Sequence, residues 1–311
     1  MSYTENYQKW LDFAELPAYL HDELVAMDEK TKEDAFYTNL EFGTAGMRGL
    51  IGAGTNRINI YVVRQATEGL AQLIDSKGEE AKKRGVAIAY DSRHFSPEFA
   101  FESAQVLAAH GIKSYVFESL RPTPELSFAV RHLHTFAGIM VTASHNPAPF
   151  NGYKVYGEDG GQMPPADADA LTDYIRAIEN PFTVQLADLE ESKASGLIEV
   201  IGENVDAEYL KEVKGVNINQ DLINEYGRDM KIVYTPLHGT GEMLARRALA
   251  QAGFEAVQVV EAQAVPDPDF STVKSPNPEN QEAFALAEEL GRKVDADVLV
   301  ATDPDADRLG G

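Results

Sequence analysis

Apolar residues recur along the chain at two spacings, and these divide it into predicted helices and strands. The first 40 residues carry apolar side chains at helix-like spacings among acids, and we expect them to pack on the domain that follows. A longer helical pattern covers 58–74 and ends near Gly78. Short apolar runs and helical patterns then alternate: the predicted strands are 86–90, 114–117 and 138–141, and the predicted helices between them are 97–110 and 124–134.

A second pattern of the same kind follows a polar, acidic stretch at 180–202, which we interpret as a boundary or as a linker with short structure of its own. Its predicted strands are 231–234, 256–260 and 298–301, and its predicted helices are 243–252 and 280–291. Alternating strands and helices predict the α/β class, with two successive domains whose mixed, largely parallel sheets are covered by helices. We place the first domain at 1–203 and the second at 204–311.

Polar loops follow several of the predicted strands. Residues 91–93 and 142–147 lie at strand ends in the first domain, and D-P-D-A-D-R at 303–308 follows the last strand of the second. Ligands of α/β sheets usually bind at the carboxyl ends of the strands. We therefore expect an active site in the cleft between the domains.

Charge and composition narrow the classes of function. The chain has 311 residues, is 44% hydrophobic and carries a formal charge of -23, which argues against a nucleic-acid partner. Any phosphate site must then be a local basic pocket helped by a metal. The absence of cysteine excludes disulfides and thiolate sites. No apolar run or signal pattern indicates a membrane or export, so we expect a cytoplasmic protein.

Ser144 lies between an apolar strand and an Asn-Pro turn, which would present its hydroxyl rigidly. An isolated serine of this kind usually caps a turn or a helix. Here His145 and Asn146 add hydrogen-bond donors, and Lys154 follows as a cation or proton carrier. The G-x-S-x-G turn of α/β hydrolases is absent. The segment therefore favours a hydroxyl that carries a phosphoryl group.

Asp303, Asp305 and Asp307 alternate, so an extended loop would bring their oxygens together on one cation. Few, hard oxygen ligands suit Mg²⁺. An EF-hand is excluded because Arg308 occupies the position of the required glycine and the chain ends before the twelfth position of the loop. A plain acidic loop remains the alternative.

Three other loops are weaker candidates by themselves. G-T-A-G-M-R-G at 43–49 would face a phosphate with backbone N–H groups and Arg48, or would be a flexible turn; it is not a Walker A loop. Arg93 and His238 would each orient a neighbouring loop or contact substrate. The histidines on predicted helices are expected to be structural: His110, His132 and His134.

Taken together, these motifs resemble the N-terminal half of an α-D-phosphohexomutase, in the phosphoglucomutase/phosphopentomutase branch. T-A-S-H-N-P resembles the family's phosphoserine loop, D-P-D-A-D-R its metal loop and G-T-A-G-M-R-G its N-terminal active-site loop. The residue sequences at 151–162 and 266–279 favour that branch over phosphomannomutases. The motifs occur in family order and cover nearly the whole chain.

The resemblance implies that Ser144 passes a phosphoryl group to a sugar monophosphate, interconverting glucose 1-phosphate and glucose 6-phosphate through glucose 1,6-bisphosphate. Lys154, with a pKa lowered by the metal and nearby cations, and Arg48 would join Ser144 in catalysis. The resemblance also implies two further sets of residues. The Mg²⁺ ligands would be Ser144, Asp303, Asp305 and Asp307. The substrate-binding residues would be Thr44, Arg93, His145, His238 and Arg308.

The chain departs from the family pattern in its length. Family members have four domains, with a sugar-selecting loop in the third and a phosphate-binding loop in the fourth, so the resemblance implies that these partner domains are missing here, by engineered truncation or as a natural short form. The second domain is expected to be clipped after R-L-G-G. We therefore expect little activity from the chain alone.

Several alternatives stay open. The substrate would be a pentose 1-phosphate in a phosphopentomutase or a mannose phosphate in a phosphomannomutase. A short form would bind a phosphosugar or a protein partner without catalysis. A metal-dependent phosphatase would use Asp303 rather than Ser144 as its nucleophile.

Overall fold

The computed structural model describes residues 2–43 and 46–311. Its helices and strands follow one another as the alternating pattern predicts. The α-helices are α1 Tyr3–Leu11, α2 Ala18–Ala26, α3 Glu29–Phe36, α4 Ile60–Lys77, α5 Glu79–Arg84, α6 Ser96–Ala109, α7 Thr123–His132, α8 Pro165–Ala177, α9 Leu189–Ala194, α10 Glu203–Gly215, α11 Gln220–Tyr226, α12 Gly241–Ala252, α13 Glu261–Ala264 and α14 Ala285–Val294. The strands are β1 Met47–Leu50, β2 Val86–Tyr90, β3 Ser114–Phe117, β4 Ala137–Val141, β5 Phe150–Tyr156, β6 Ile198–Ile201, β7 Ile232–Thr235, β8 Val257–Val259, β9 Val298–Thr302 and β10 Leu309–Gly310.

The first domain is built on a six-stranded sheet in the order β1-β5-β4-β2-β3-β6. Strands β4, β2, β3 and β6 are parallel, whereas β5 is antiparallel to both β1 and β4. Every residue of β2 and β4 is buried, because helices cover both faces of the sheet. The mixed, helix-covered sheet predicted from the sequence is therefore confirmed.

Strand β2 shows how its residues divide between the two faces. Val86 and Ile88 belong to the hydrophobic cluster formed with α4, α6 and α8. Ala87 and Ala89 belong to the cluster formed with α7, on the opposite face. Successive side chains of a strand point to opposite faces, so an unbroken apolar run of this kind is buried on both sides.

The second domain holds a four-stranded sheet in the order β10-β9-β7-β8, in which only the short β10 is antiparallel to its neighbour. Helix α14 covers one face through a cluster that includes Val233, Val260 and Ala287. Both domains therefore contain a mixed sheet with helices, as expected.

The N-terminal helices pack on the first domain, as expected. Ser2 caps α1 with a reciprocal capping box to Glu5. Trp10 is buried in edge-on contact with Phe36 of α3 and Tyr61 of α4. These aromatic contacts fix α1–α3 against the start of α4.

The structure differs from the predicted elements in several places, and the long helices α8 and α10 were not predicted. Strand β5 was not predicted, and β1 begins within the glycine-rich loop at 43–49. Strand β6 lies inside the predicted linker at 180–202 but joins the first sheet beside β3. The helix predicted at 280–291 begins as a 3₁₀ turn and continues as α14.

The fold brings the polar loops after β2, β4 and β9 to the same cleft. Loops after parallel strands emerge at the same edge of each sheet, and here the edges of both sheets face each other. Within the described residues, the structure contains no helix long and apolar enough to cross a membrane.

Candidate active site

Ser144 lies in the turn after β4, and its side chain faces the second domain. It is only 3% exposed, and its φ of 52° is in the left-handed region. Its N–H donates to Thr142 Oγ1 (2.7 Å), and its hydroxyl donates to Asp303 Oδ2 (2.8 Å). The ring Nδ1 of His145 lies 3.1 Å from the same hydroxyl. The serine predicted from one motif thus contacts the acidic loop predicted from the other.

Arg93 holds this turn in place from the end of β2. Its guanidinium lies 3.2 Å from the buried carboxylate of Asp91 and stacks 4.9 Å from the ring centre of Phe270, in the second domain. Its two terminal nitrogens donate at 2.5–2.9 Å to backbone carbonyls of the turn, at Ser144, Asn146, Pro147 and Phe150. A fully buried arginine with these partners orients the serine loop, which is the first of the two roles considered for it from the sequence.

The acidic loop after β9 brings its three carboxylates together. Oxygens of Asp303, Asp305 and Asp307 all lie within 4.8 Å of one another, and the first two side chains are fully buried. Asp303 Oδ1 also accepts the N–H of Arg308 at 3.0 Å. Ala306 turns the loop with a φ of 52°. The predicted convergence of alternate aspartates therefore occurs.

The loop that follows β7, in the same domain, packs against the acidic loop. Thr240 N donates to the carbonyl of Pro304 at 2.8 Å. Beside it, a Cβ on Gly239 would lie 2.4 Å from Pro304 Cα, so only glycine allows this approach. The segment at 235–241, T-P-L-H-G-T-G, therefore supports the acidic loop.

The three carboxylates of the acidic loop repel one another. Burial and the charges of Asp305 and Asp307 raise the pKa of Asp303 to about 8. Burial and Asp305 likewise raise the pKa of Asp307. Asp305 Oδ1 is buried and, among the described residues, has no hydrogen-bond partner. Three clustered carboxylates with an unpaired buried oxygen fit a divalent cation, which would neutralise them and occupy that oxygen.

Lys154, on β5, lies beside the same carboxylates. It is 5% exposed, and its Nζ donates to Asp305 Oδ2 at 2.9 Å and lies 3.6 Å from Asp307 Oδ2. Burial alone would lower its pKa, but the negative charges of Asp305 and Asp307 outweigh burial and raise the pKa. The lowering of the Lys154 pKa by a metal and nearby cations stays a prediction; the carboxylates beside Lys154 act in the opposite direction.

Three other predicted residues line the outside of this cluster. Arg48 is exposed and donates to Asn146 Oδ1 at 2.9 Å, and Arg308 donates to Glu279 Oε1 at 2.7 Å. Burial and then the positive charges of Arg308 and Arg48 lower the pKa of His145. Two arginines thus lie at the outside of the acidic cluster, one of them paired with Glu279.

Two predicted substrate residues have other surroundings. His238 is buried, with Nδ1 donating to the carbonyl of Val265 (2.9 Å) and Nε2 2.8 Å from Thr272 Oγ1. Both ring nitrogens are therefore engaged inside the second domain. Thr44 lies outside the described residues.

Sequence reasoning missed one residue at this site. Thr123, the first residue of α7, contacts Asp305 through both its N–H and its hydroxyl. A signal existed, because Thr123 belongs to the loop that follows the predicted strand 114–117, at the same sheet edge as the other site loops. A lone threonine between two prolines nevertheless looks like an ordinary helix start.

The geometry defines a two-domain α/β protein in which a buried serine hydroxyl of one domain contacts a loop of three clustered aspartates in the other. Comparison with known families agrees. Residues 39–182 match the model for phosphoglucomutase/phosphomannomutase, alpha/beta/alpha domain I, and residues 207–311 match domain II. The chain belongs to this family, the α-D-phosphohexomutases.

Similar sequences include a phosphoglucomutase of Staphylococcus epidermidis, 42% identical over 280 residues, which are 90% of this chain and 50% of that protein. A phosphoglucomutase of Staphylococcus haemolyticus is 41% identical over 297 residues, 94% of this chain and 53% of that protein. The chain thus spans about half the length of these curated relatives.

Solved structures show the same fold. A phosphoglucomutase/phosphomannomutase family protein from Burkholderia thailandensis superposes with a TM-score of 0.65 and 22% identity, over 88% of this chain and 54% of that one. The open form of parafusin, a phosphoglucomutase from Paramecium, superposes with a TM-score of 0.63 and 20% identity, over 88% and 52%.

Proposed function

We propose that the chain carries the phosphoserine and metal-binding half of an α-phosphoglucomutase. This enzyme would interconvert glucose 1-phosphate and glucose 6-phosphate, with glucose 1,6-bisphosphate as intermediate and activator. The single observation that supports it best is the 2.8 Å contact between the Ser144 hydroxyl and Asp303 of the acidic loop. A phosphoryl group on Ser144 would lie directly beside a cation held by that loop.

The proposed metal site consists of Asp303, Asp305 and Asp307 with an oxygen of phosphorylated Ser144, and the proposed ion is Mg²⁺. Its oxygen-only ligands and the nearby phosphate are what Mg²⁺ prefers. The bound ion would supply charge stabilisation to the transferring phosphoryl group.

The residues around Ser144 would bind and orient the sugar phosphate and would carry the transferred proton. In the transfer step the bond between Ser144 Oγ and phosphorus breaks, a bond from a sugar oxygen to phosphorus forms, and the proton that the sugar hydroxyl loses goes to Ser144 Oγ. Lys154 is the proposed proton carrier, and Arg48 adds positive charge on the open side. His145 and Arg308 would face the substrate, whereas Arg93 and His238 would hold the loops.

Glucose is the proposed sugar because the similar sequences named above are phosphoglucomutases. Sugar selection would fall to the part of those relatives that lies beyond the matched half, so we expect little turnover by this chain alone. We also propose the domain boundary at 203/204, since β6 belongs to the first sheet and β7 to the second.

The test is phosphoryl uptake rather than turnover. The 311-residue chain is incubated with glucose 1,6-bisphosphate and Mg²⁺, and intact mass and peptide mapping are measured. We expect one phosphoryl group on Ser144 and one glucose monophosphate released per phosphoryl group gained. The leaving sugar oxygen would receive the serine proton.

Matched serine variants control this experiment. Ser144→Ala should take up no phosphoryl group. Ser103→Ala, which loses a buried hydroxyl on α6 that donates to the Phe99 carbonyl, should behave as the wild type. Phosphorylation of Asp303 would instead indicate the phosphatase alternative. Sugar-phosphate binding without any phosphorylation would indicate a non-catalytic module.

A further inference from the structure

Thr123 connects the two domains at the acidic loop. Its hydroxyl donates to Asp305 Oδ2 at 3.0 Å, and its N–H donates to the Asp305 carbonyl at 2.9 Å. The threonine is 6% exposed and the aspartate fully buried. A single residue of the first domain thus donates hydrogen bonds to both the backbone and the side chain of a proposed metal ligand in the second.

The start of α7 explains why the backbone contact forms there. The residue before the helix is Pro122, which makes no side-chain cap, and Pro124 has no N–H. The N–H of Thr123 is one of the donors that a helix start leaves free, and the Asp305 carbonyl satisfies it. The hydroxyl bond is additional, because any residue except proline could supply the N–H.

The hydroxyl decides which oxygen of Asp305 is left available. Oδ2 accepts from both Thr123 Oγ1 and Lys154 Nζ, at 3.0 and 2.9 Å. Oδ1 is buried, and no donor in the described ranges reaches it. Two donors on one oxygen fix the rotation of the carboxylate and leave the other oxygen buried without a donor.

We propose that Thr123 is a positioning residue for the divalent cation: by holding Asp305 Oδ2 across the domain boundary, it reserves Asp305 Oδ1 as a metal ligand. The inference rests on the proposed metal-binding role of Asp303, Asp305 and Asp307. Hydrogen bonds to ligating carboxylates orient them, and losing such a partner usually lowers metal affinity by about 10- to 100-fold.

The experiment measures binding of Mn²⁺ alone to the 311-residue chain by titration calorimetry. Asp303→Asn defines the site, as the binding that it abolishes. Thr123→Val keeps the shape of the side chain and the N–H but removes the hydroxyl. We expect it to weaken binding at this site by about 10-fold or more, and we expect Thr123→Ser to bind like the wild type.

The control is Thr135→Val, which removes another buried hydroxyl that donates to the Ala137 carbonyl, near the opposite end of β4. It should leave Mn²⁺ affinity unchanged. Wild-type affinity in Thr123→Val, or an equal loss in Thr123→Ser or Thr135→Val, would overturn the inference. The experiment measures metal binding and not phosphoserine formation, so a failure of this inference can be distinguished from a failure of the proposed phosphoryl transfer.

Discussion

Arg93 Nη2 donates to the carbonyl oxygen of Ser144 at 2.6 Å and so holds the serine in its left-handed conformation. Such a conformation costs a non-glycine residue about 1–3 kcal/mol and persists only where its surroundings enforce it. The guanidinium, itself paired with Asp91, supplies that enforcement.

We expect Arg93→Lys to lower the free energy of unfolding by about 2–4 kcal/mol, because a lysine cannot satisfy four buried carbonyls in a fixed plane. Phosphoryl uptake at Ser144 should slow as well. Urea unfolding and intact mass measure the two effects. Arg131→Lys, at an exposed arginine of α7, should change stability by less than about 0.5 kcal/mol. Equal stability of the two variants would contradict the role of Arg93 in holding the Ser144 loop.

Adding Mg²⁺ should stabilise the chain against heat, and a chelator should reverse the effect. At a free ion concentration of about 100 times Kd, the gain is about 2.7 kcal/mol. Asp305→Asn should remove the shift in Tm, whereas Asp173→Asn, at an exposed position on α8, should retain it. A full shift in Asp305→Asn would show that the ion binds elsewhere.

His110 should make stability fall in mildly alkaline solution. Hydrogen bonds and charge from Glu68 and Asp75, at 2.9 and 2.6 Å, outweigh burial and raise its pKa from 6.5 to about 9. A raised pKa stabilises the fold fully below about pH 6.5, and this contribution is lost as the pH rises through about 9. Because the site is partly exposed, we expect it to contribute only about 1–2 kcal/mol.

Urea unfolding of His110→Gln between pH 6 and pH 10 measures this contribution, with exposed His21→Gln as the control. We expect the stability of His110→Gln to depend less on pH across this range. If both variants follow the wild-type pH profile, the imidazolium does not contribute.

Glu125 should behave as a neutral acid at the domain junction. It is fully buried on α7, 3.7 Å from Arg121, and burial followed by the neighbouring Asp206 raises its pKa from 4.5 to about 9. Its contribution to stability is therefore present below pH 4.5 and lost as the pH rises through about 9.

Glu125→Gln mimics the protonated acid, so it should raise the free energy of unfolding at pH 8 by about 1–3 kcal/mol. Glu212→Gln, at an exposed glutamate of α10, should change it by less than about 0.5 kcal/mol. Destabilisation of Glu125→Gln by the same amount at pH 5 and pH 8 would mean that the native group is an ionised partner of Arg121.

The local pattern of the chain determined where its buried strands and loops lie. Strand β2 was predicted at its observed bounds, because five successive apolar residues suit a strand buried on both faces. The alternation of D-P-D-A-D-R likewise placed three carboxylates within reach of one ion. These features depend on neighbouring residues alone, so the sequence contains them.

Tertiary structure alone decided the features that join distant parts of the chain. Strand β5 has no clear apolar signal because it buries polar Asn151 and Lys154, whose partners lie elsewhere in the fold. The hydrogen bond from Thr123 to Asp305 joins residues 182 positions apart. Arg93, at the end of β2, donates to the Ser144 carbonyl in the loop after the neighbouring strand β4. Spacing along a chain cannot specify such contacts, because the hydrogen-bond partners are brought together only when the strands and the two domains pack.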